Sequence, residues 1–266
     1  MTDSSDPLPF RYQAFGGSSK DITLQTLLWR YMTFEKFCWL LEKSSLYHTR
    51  LDQFDDPFEG AVTDAYARKR DAGEIEPYFS QKEHEPWIFK SLRLRQFATC
   101  WHASEYESDA QWRLYAPGGA GIAVVTTLAR MEQSIDLKPY GHGILGQVEY
   151  VDFEVHDMTI RPLTPIRPGH LKRKSFEHER EVRGIIMTDL IVDGSNLTLD
   201  ESSLERQRRE QPLGINAKVD LMGLIKEIVV SPIAKPFVEE LVQTVAKRQG
   251  LDRLVRPSKL LKAPTY

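Results

Sequence analysis

The chain has 266 residues, of which 41% are hydrophobic, 27% charged and 10% aromatic, and its formal net charge is -3. This composition excludes a disordered or low-complexity chain, and the small net charge gives no global attraction to nucleic acid or to an anionic membrane. The length allows one large domain or two small ones, with enough chain to bury a sizeable core.

Cysteines and histidines show no spacing typical of a metal centre. Cys38 and Cys100 are the two cysteines, no C-x-x-C pair occurs, and none of the seven histidines forms an H-E-x-x-H motif. The first nine residues lack the apolar core of a secretion signal, and no apolar run approaches the roughly 20 residues that span a bilayer. We expect a cytoplasmic, bacterial-type protein with no membrane partner, and the cysteines and histidines predict no metal site.

The first quarter of the chain alternates predicted strands and helices. Residues 1–20, rich in Ser, Asp, Pro and Gly, predict a flexible N-terminal arm, and we assign 21–266 to one domain. A strand is predicted over 24–31 and a helix over 33–43, because apolar residues recur there at helical spacing. In the alternating strand 45–50, we expect Tyr47 to face the core and His48 to face a cleft or water.

Two capping boxes predict helix starts. Asp56-Pro57 with Glu59 predicts a helix over 61–70, and Ser108 with Gln111 predicts a short helix through Tyr115 that carries Trp112. We expect exposed inserts near 71–95 and 193–212, where charged residues dominate. The other predicted elements are strands at 97–102, 122–126, 146–153, 215–221, 225–230 and 254–255, and helices at 170–175 and 236–249.

Strands and helices mix without a regular strand-helix-strand order. This pattern predicts an α+β domain with a mixed, mostly antiparallel central sheet flanked by helices. The element most suggestive of chemistry is 176–187, where glutamates alternate before an apolar run. In a strand, Glu179, Glu181 and Arg183 share one face with neighbours about 6–7 Å apart. Two carboxylates at that distance raise each other's pKa unless a cation lies between them.

These segments, taken together, resemble a bacterial family called domain of unknown function 2971. The match covers about residues 25–260 in conserved order, and the residues that carry it are Leu28-Trp29-Arg30-Tyr31, Phe54 to Glu59, Cys100-Trp101-His102, Trp112, Tyr115, Gly121, Val148-Glu149-Tyr150, Lys174, Glu179, Glu181, Arg183 and Ile228 to Pro232. Family members often have Phe-Ser-Glu after the cysteine and a histidine before the tyrosine. Here Trp101-His102 and Leu114 stand instead. The resemblance implies no established activity.

The first functional hypothesis is a nucleotide-using transferase with NAD as its substrate. An early arginine, Arg30, followed by a polar strand end and a late Glu-x-Glu is similar to the pattern of some ADP-ribosyltransferases. An arginine binds pyrophosphate, and a glutamate stabilises the cationic sugar centre that forms as the glycosidic bond breaks. We assign that role to Glu181, with Glu179 orienting the acceptor. The predicted substrate-binding residues are Tyr31, His48, Asp56, Phe58, Glu59, Trp101, Trp112, Tyr115, Lys174 and Arg183.

Two alternatives stay open. A metal-dependent nuclease or phosphodiesterase would use the carboxylates of Asp55, Asp56, Glu59, Glu179 and Glu181 for Mg²⁺, with Lys174 at a phosphate. A non-catalytic binding or interaction module would instead use Arg30, Asp56, Glu181 and Arg183 as a structural ion-pair network. No cofactor follows firmly from the sequence, and a nucleic-acid or protein acceptor is left open, as is any role in bacterial defence.

Overall fold

The structure is a computed structural model that describes residues 11–14, 22–79, 83–140, 142–160, 163–188 and 200–265. Within these ranges the strands are β1 (Arg11–Ala14), β2 (Leu27–Thr33), β3 (Ser45–Arg50), β4 (Gln96–Ala103), β5 (Gly121–Thr127), β6 (His142–Gln147), β7 (Glu149–Val151), β8 (Leu171–Arg173), β9 (Glu181–Met187), β10 (Gly214–Lys218), β11 (Glu227–Val230) and β12 (Val255–Pro257). The α-helices are α1 (Phe34–Lys43), α2 (Asp64–Ala72), α3 (Glu85–Arg93), α4 (Asp109–Tyr115), α5 (Leu128–Ser134), α6 (Glu201–Glu210), α7 (Leu221–Leu224) and α8 (Pro236–Lys247).

One mixed sheet organises the fold. Its strand order is β1-β6-β9-β4-β2-β5-β11-β12, and β3 and β10 branch from β4. The pairs β1/β6 and β11/β12 are parallel, and the other pairs of this sheet are antiparallel. The predicted α+β domain with a mixed, mostly antiparallel sheet is confirmed.

The sheet splits beside the middle of β4. One edge of β4 pairs with the whole of β9, from Gln96↔Met187 to His102↔Glu181. The other edge pairs with β2 only at Trp29↔His102 and Leu28↔Ala103, and with β3 only at Thr49↔Ala98 and Arg50↔Phe97. Strands β2 and β3 therefore diverge from each other next to residues 99–101.

Alternation along the strands gives the sheet two buried faces. Phe97 and Trp101 of β4 lie in the main hydrophobic cluster, with buried side chains of α1 and α8. Trp29 and Tyr31 of β2 lie in a second cluster with Trp112 of α4. Because Trp29 pairs with His102, this second face of the sheet also carries His102 and, two residues back, Cys100.

Several predicted elements are confirmed to within a residue or two. Helix α1 buries Phe37, Leu40 and Leu41 and ends at Ser44 in the left-handed conformation (φ 44°). Ser108 caps α4 as expected, since its side chain accepts a hydrogen bond from the Gln111 backbone N–H. The Asp56 capping box is wrong, because Asp56 bonds the nearby Phe58 N–H and helix α2 begins only after the N-cap Thr63.

The chain around the glutamates differs most from its prediction. Residues 171–173 form the short strand β8, which pairs with β7, where we predict a helix over 170–175. The predicted strand over 146–153 is divided between β6 and β7. Glu179 ends a 3-10 helix, and the strand starts only at Glu181, because Arg180 between them takes a left-handed conformation (φ 44°).

The predicted arm and inserts contain ordered elements. Residues 11–14 form β1, and the rest of 1–20 lies outside the described residues. Within 71–95, helix α3 buries Phe89 and Leu92 in a cluster with Tyr66, and within 193–212, helix α6 buries Leu204. Residues 193–199 lie outside the described residues. Across the described chain, every helix is too short or too polar to cross a bilayer.

Candidate functional site

A cavity of about 510 Å³ lies at the split in the sheet. Its wall includes Arg30 and Tyr31 from β2, Tyr47 from β3, and Cys100 and Trp101 from β4. The volume falls within the range of about 300–1,000 Å³ that is typical of small-molecule sites. The divergence of β2 and β3 therefore creates space for a ligand in the middle of the sheet.

Arg30 bridges the split. Its Nη1 donates to Thr99 Oγ1 of β4 at 2.7 Å, and its Nη2 donates to the Tyr47 carbonyl oxygen of β3 at 3.1 Å. The guanidinium also lies 5.8 Å from the centroid of the Trp101 ring. Both hydrogen-bond acceptors are neutral, and no carboxylate of the described residues lies within ion-pair distance of Arg30. Burial lowers the pKa of Arg30, as expected for a cation that lacks a nearby counter-charge.

The opposite wall contains an ion-pair network, which we define as Glu59, Glu179, Glu181, Lys172 and Arg183. Arg183 forms a two-pronged pair with Glu59 at 2.6 and 2.8 Å, and its Nη2 also donates to Glu181 at 2.8 Å. Lys172 bonds Glu179 and lies 3.3 Å from Glu181 and 3.4 Å from Glu59. Three carboxylates and two cations leave the network with one excess negative charge.

Cations within the network keep Glu181 ionised. Burial alone would raise the pKa of Glu181, but Arg183 and Lys172 outweigh burial and lower this pKa to about 2. Burial would lower the pKa of Lys172, but Glu181 and Glu59 raise it well above its ordinary value. Lys172, which contacts both Glu179 and Glu181, is the cation that lies between the two carboxylates, and the pKa of Glu181 is lowered instead of raised.

Glu179 joins the network to the cavity floor. Its carboxylate accepts a hydrogen bond from the Tyr115 hydroxyl at 3.3 Å, and its side chain is 11% exposed against 6% for Glu181. Its backbone carbonyl lies 2.6 Å from Nδ1 of His102. Burial raises the pKa of Tyr115, so its hydroxyl is a neutral donor at pH 7.

Cys100 is a poor nucleophile in this setting. Burial and the neighbouring Glu181 raise the pKa of its thiol well above the ordinary value, so the thiol stays protonated. A nucleophilic cysteine requires the thiolate form, which a nearby cation stabilises and a nearby carboxylate opposes. We therefore assign Cys100 to the cavity wall and not to covalent catalysis.

The side chains of Arg30 and Glu181 project from opposite faces of the sheet. Trp29 and Glu181 both pair with His102, which places Trp29 on the Glu181 face and its neighbour Arg30 on the other. No contact joins the two side chains in the described residues. The split in the sheet nevertheless allows both to line the same cavity.

The structure brings together eight of the residues that we predict for the site. The wall of the cavity contains Arg30, Tyr31, Asp56, Glu59, Trp101, Tyr115, Glu179 and Glu181. Five others do not line the cavity: Arg183 is fully buried behind its wall in the ion-pair network, His48 is fully buried, Trp112 is a core aromatic against Tyr31, and Phe58 and Lys174 line a smaller cleft. Asp56 is bound by Arg173 at 3.0 Å.

The prediction that His48 faces a cleft is wrong. His48 and Arg50 are buried on the face of β3 that the chain around α6 covers, where Arg50 donates to the Gln211 carbonyl oxygen at 2.6 Å. Burial lowers the pKa of His48 to about 3, so the ring is neutral. Tyr47, which we expect in the core, is 39% exposed and lines the cavity instead.

Lys172 and Phe176 are the main site residues that sequence reasoning misses. The alternation of Leu171, Lys172 and Arg173 is the signal that was available, since it fits a short strand with Lys172 on one face. Phe176 covers Lys172, whose Nζ lies 5.0 Å from the ring centroid.

Within the described ranges, no three His, Cys, Asp or Glu side chains form a group able to hold a metal ion. Comparisons of the chain with protein-family models, with curated proteins and with solved structures found no match. The resemblance to domain of unknown function 2971 therefore stays a prediction.

Proposed function

We propose that the chain is a nucleotide-using transferase of ADP-ribosyltransferase type, with NAD as the donor. The observation that carries the proposal is the charge distribution of the cavity. Within the described residues, Arg30 supplies a positive charge whose hydrogen-bond acceptors are neutral, and the ion-pair network supplies one excess negative charge. NAD has the complementary pattern, since its pyrophosphate is anionic and its nicotinamide ring is cationic.

Arg30 is suited to the pyrophosphate. A guanidinium has five N–H donors, and the bonds to Thr99 and Tyr47 occupy two of them. The remaining donors can form a two-pronged contact with phosphate oxygens, the geometry in which arginine binds phosphate best. The phosphate would also provide a counter-charge to the guanidinium, which has no carboxylate partner among the residues that the structure describes.

The ion-pair network is suited to the ribose. As the bond between ribose and nicotinamide breaks, positive charge develops on the sugar, and a fixed negative charge nearby lowers the energy of that state. We assign the contact with a ribose hydroxyl to Glu179, because it is the more exposed of the two carboxylates. Glu181 binds the same cation, Lys172, and adds negative charge near the sugar. These roles differ from the sequence prediction, in which Glu181 stabilises the cationic sugar and Glu179 orients the acceptor.

A non-catalytic binding module is the second candidate. Glu181 is 5% exposed and held by two cations, as in a purely structural pair. The metal-dependent alternative has less support, because Glu59 and Glu181 are bound by Arg183 and Asp56 by Arg173. A metal ion would have to displace these cations.

The test is release of nicotinamide from NAD labelled in the nicotinamide ring. We expect turnover by the wild-type protein and a loss of about 10²–10³-fold in Arg30→Met and Glu179→Gln, the usual cost of removing one electrostatic contact to a transition state. Arg113→Met is the matched control, because the Arg113 side chain is 79% exposed on α4 and forms an exposed pair with Asp109.

Three outcomes separate the candidates. Release that depends on Arg30 and Glu179 supports the transferase. Binding of NAD without release, with water or with protein and nucleic-acid acceptors, favours the binding module. Absence of both binding and release contradicts the assignment of NAD to this cavity.

A further inference from the structure

We infer that His102 is the catalytic base of this cavity, the group that removes the proton from the acceptor as the ribose is transferred. The inference rests on the proposed function and deepens it. It assigns proton transfer to a residue that stands outside the Glu-x-Glu pattern, in the position where Trp101-His102 departs from the resembled family.

One hydrogen bond fixes the tautomer of His102. Its Nδ1 lies 2.6 Å from the backbone carbonyl oxygen of Glu179. A carbonyl oxygen only accepts, so Nδ1 carries the proton, and in the neutral ring the lone pair is on Nε2. No hydrogen-bond partner of Nε2 occurs in the part of the chain that the structure describes, and the residue lines the cavity.

The surroundings hold the ring in place. His102 pairs through its backbone with Trp29 of β2 on one side and Glu181 of β9 on the other, at the point where β4 is still flanked by both strands. The Tyr31 ring lies edge-on with its centroid 6.4 Å away. A base that is oriented by a carbonyl and fixed in a sheet needs little reorganisation when it takes a proton.

The cavity glutamates Glu179 and Glu181 are already bound by cations and hydrogen-bond donors. Arg183 and Lys172 hold Glu181 ionised at low pKa, so it takes up a proton only in strong acid. Glu179 is bonded by Lys172 and by the Tyr115 hydroxyl. These two bonds occupy both of its carboxylate oxygens, Oε1 and Oε2.

Burial keeps the His102 ring neutral at pH 7. Burial lowers the pKa of His102 below 6.5, the bond to the Glu179 carbonyl raises it, and the nearby Arg180 lowers it further. Glu179 and, across the strand pair, Glu181 are the negative groups that face the ring, and Tyr31 faces it as a neutral group. The ring is therefore available as a base over the physiological range.

The proposed reaction is the displacement of nicotinamide by an acceptor oxygen, coupled to the transfer of a proton to His102. The bond between ribose C1′ and the nicotinamide nitrogen breaks, and its electron pair neutralises the positive ring, which leaves as neutral nicotinamide. The acceptor oxygen, from water or from a hydroxyl group, forms the new bond to C1′. The proton of that O–H group moves to Nε2 of His102, which becomes the imidazolium and later releases the proton to solvent.

His102→Asn is the variant that separates catalysis from structure. Its side-chain amide can still donate to the Glu179 carbonyl, but it has no basic nitrogen. We expect nicotinamide release to fall by about 10²–10⁴-fold, the usual contribution of a general base.

We also expect the wild-type rate to fall at acidic pH as His102 is protonated, and this decline to disappear in His102→Asn. Added imidazole should restore part of the rate to His102→Gly, and His178→Asn, at an exposed position, serves as the control.

Two results would overturn the inference. One is a His102→Asn protein with the wild-type rate and the same acidic decline, in which case the proposed function stands without this base. The other is a nitrogen-15 spectrum of the folded wild-type protein in which His102 carries its proton on Nε2, a result that does not depend on any variant. If the wild-type protein releases no nicotinamide at all, the proposed function itself fails, and the inference fails with it.

Discussion

Arg183 decides how the acidic side chains of the cavity behave. It is fully buried, and its guanidinium donates to Glu59, to Glu181 and to the Gly169 carbonyl oxygen. A buried cation is tolerated only when its charge is paired, so Glu59 and Glu181 are tied to the fold as well as to the site.

Glu59→Gln should therefore destabilise the protein strongly. The change removes one partner of a buried pair and leaves Arg183 short of negative charge, which typically costs about 3–5 kcal/mol. Urea denaturation measures the free energy of unfolding directly. As a control, Asp109→Asn breaks the exposed pair with Arg113, which should cost no more than about 1 kcal/mol. Equal effects in the two variants would show that the buried pair adds nothing.

The ionisation of Glu181 should make stability depend on pH in acid. Its pKa is lowered from 4.5 to about 2 in the folded protein, so its contribution is complete above pH 4.5 and is lost as the pH falls towards 2. Glu181→Gln mimics the protonated form. The difference in unfolding free energy between wild type and this variant should shrink over that interval, and a constant difference would contradict the shift.

The sequence allows the acidic residues to be found but not their partners. Glu179, Glu181 and Arg183 stand out because they alternate before an apolar run. Glu59, which binds Arg183, is 124 positions away along the chain, and nothing local links the two. Lys172 was missed for a related reason, since its role appears only when β8 places it between three carboxylates.

At the scale of elements, local signals predict where helices begin and end better than they predict which face of a strand is buried. The capping residue Ser108 and the apolar spacing of α1 give those helices correctly, because both signals act within a few residues. The alternating residues of β3 define its two faces, but they do not determine which face the rest of the chain packs against. Helix α6 and the residues after it cover the His48 face, which leaves Tyr47 at the cavity.

Ser108 should matter because it holds the helix that carries Tyr115. Its side chain accepts from the Gln111 N–H, and its own N–H donates to the Tyr31 hydroxyl at 2.9 Å. We expect Ser108→Ala to lower the free energy of unfolding by about 0.5–2 kcal/mol through loss of the cap. Ser108→Asp, which keeps a capping oxygen, should recover most of that loss. Equal stability of the Ala and wild-type proteins in urea would contradict the capping role.

At the scale of the whole molecule, the split between β2 and β3 is the feature that makes a site. It depends on how three strands diverge over distances that no local pattern encodes, so it was not predictable from the sequence. The class of fold was predictable, because the order of strands and helices excludes regular strand-helix-strand units. The pairing of an early arginine with late acids in one cavity was expected, but their origin on opposite faces of the sheet was not.

Arg30 should be more important for binding than for stability. Replacing it by Met removes two hydrogen bonds but also relieves the burial of a cation without a carboxylate partner in the described chain. These effects oppose each other, so we expect a change of less than about 1.5 kcal/mol in the free energy of unfolding. Arg183→Met should instead cost about 3–5 kcal/mol, because it leaves buried carboxylates without their cation. Comparable losses for the two variants in urea would make Arg30 a structural residue.

The affinity for NAD, measured by calorimetric titration of wild-type, Arg30→Met and Arg113→Met proteins, tests the central claim most directly. We predict that the wild-type and Arg113→Met proteins bind NAD equally well and that folded Arg30→Met binds at least about tenfold more weakly, a loss of about 1.4 kcal/mol or more. Wild-type protein that does not bind NAD, or Arg30→Met that binds it with unchanged affinity, would contradict the assignment of the cavity as a nucleotide site.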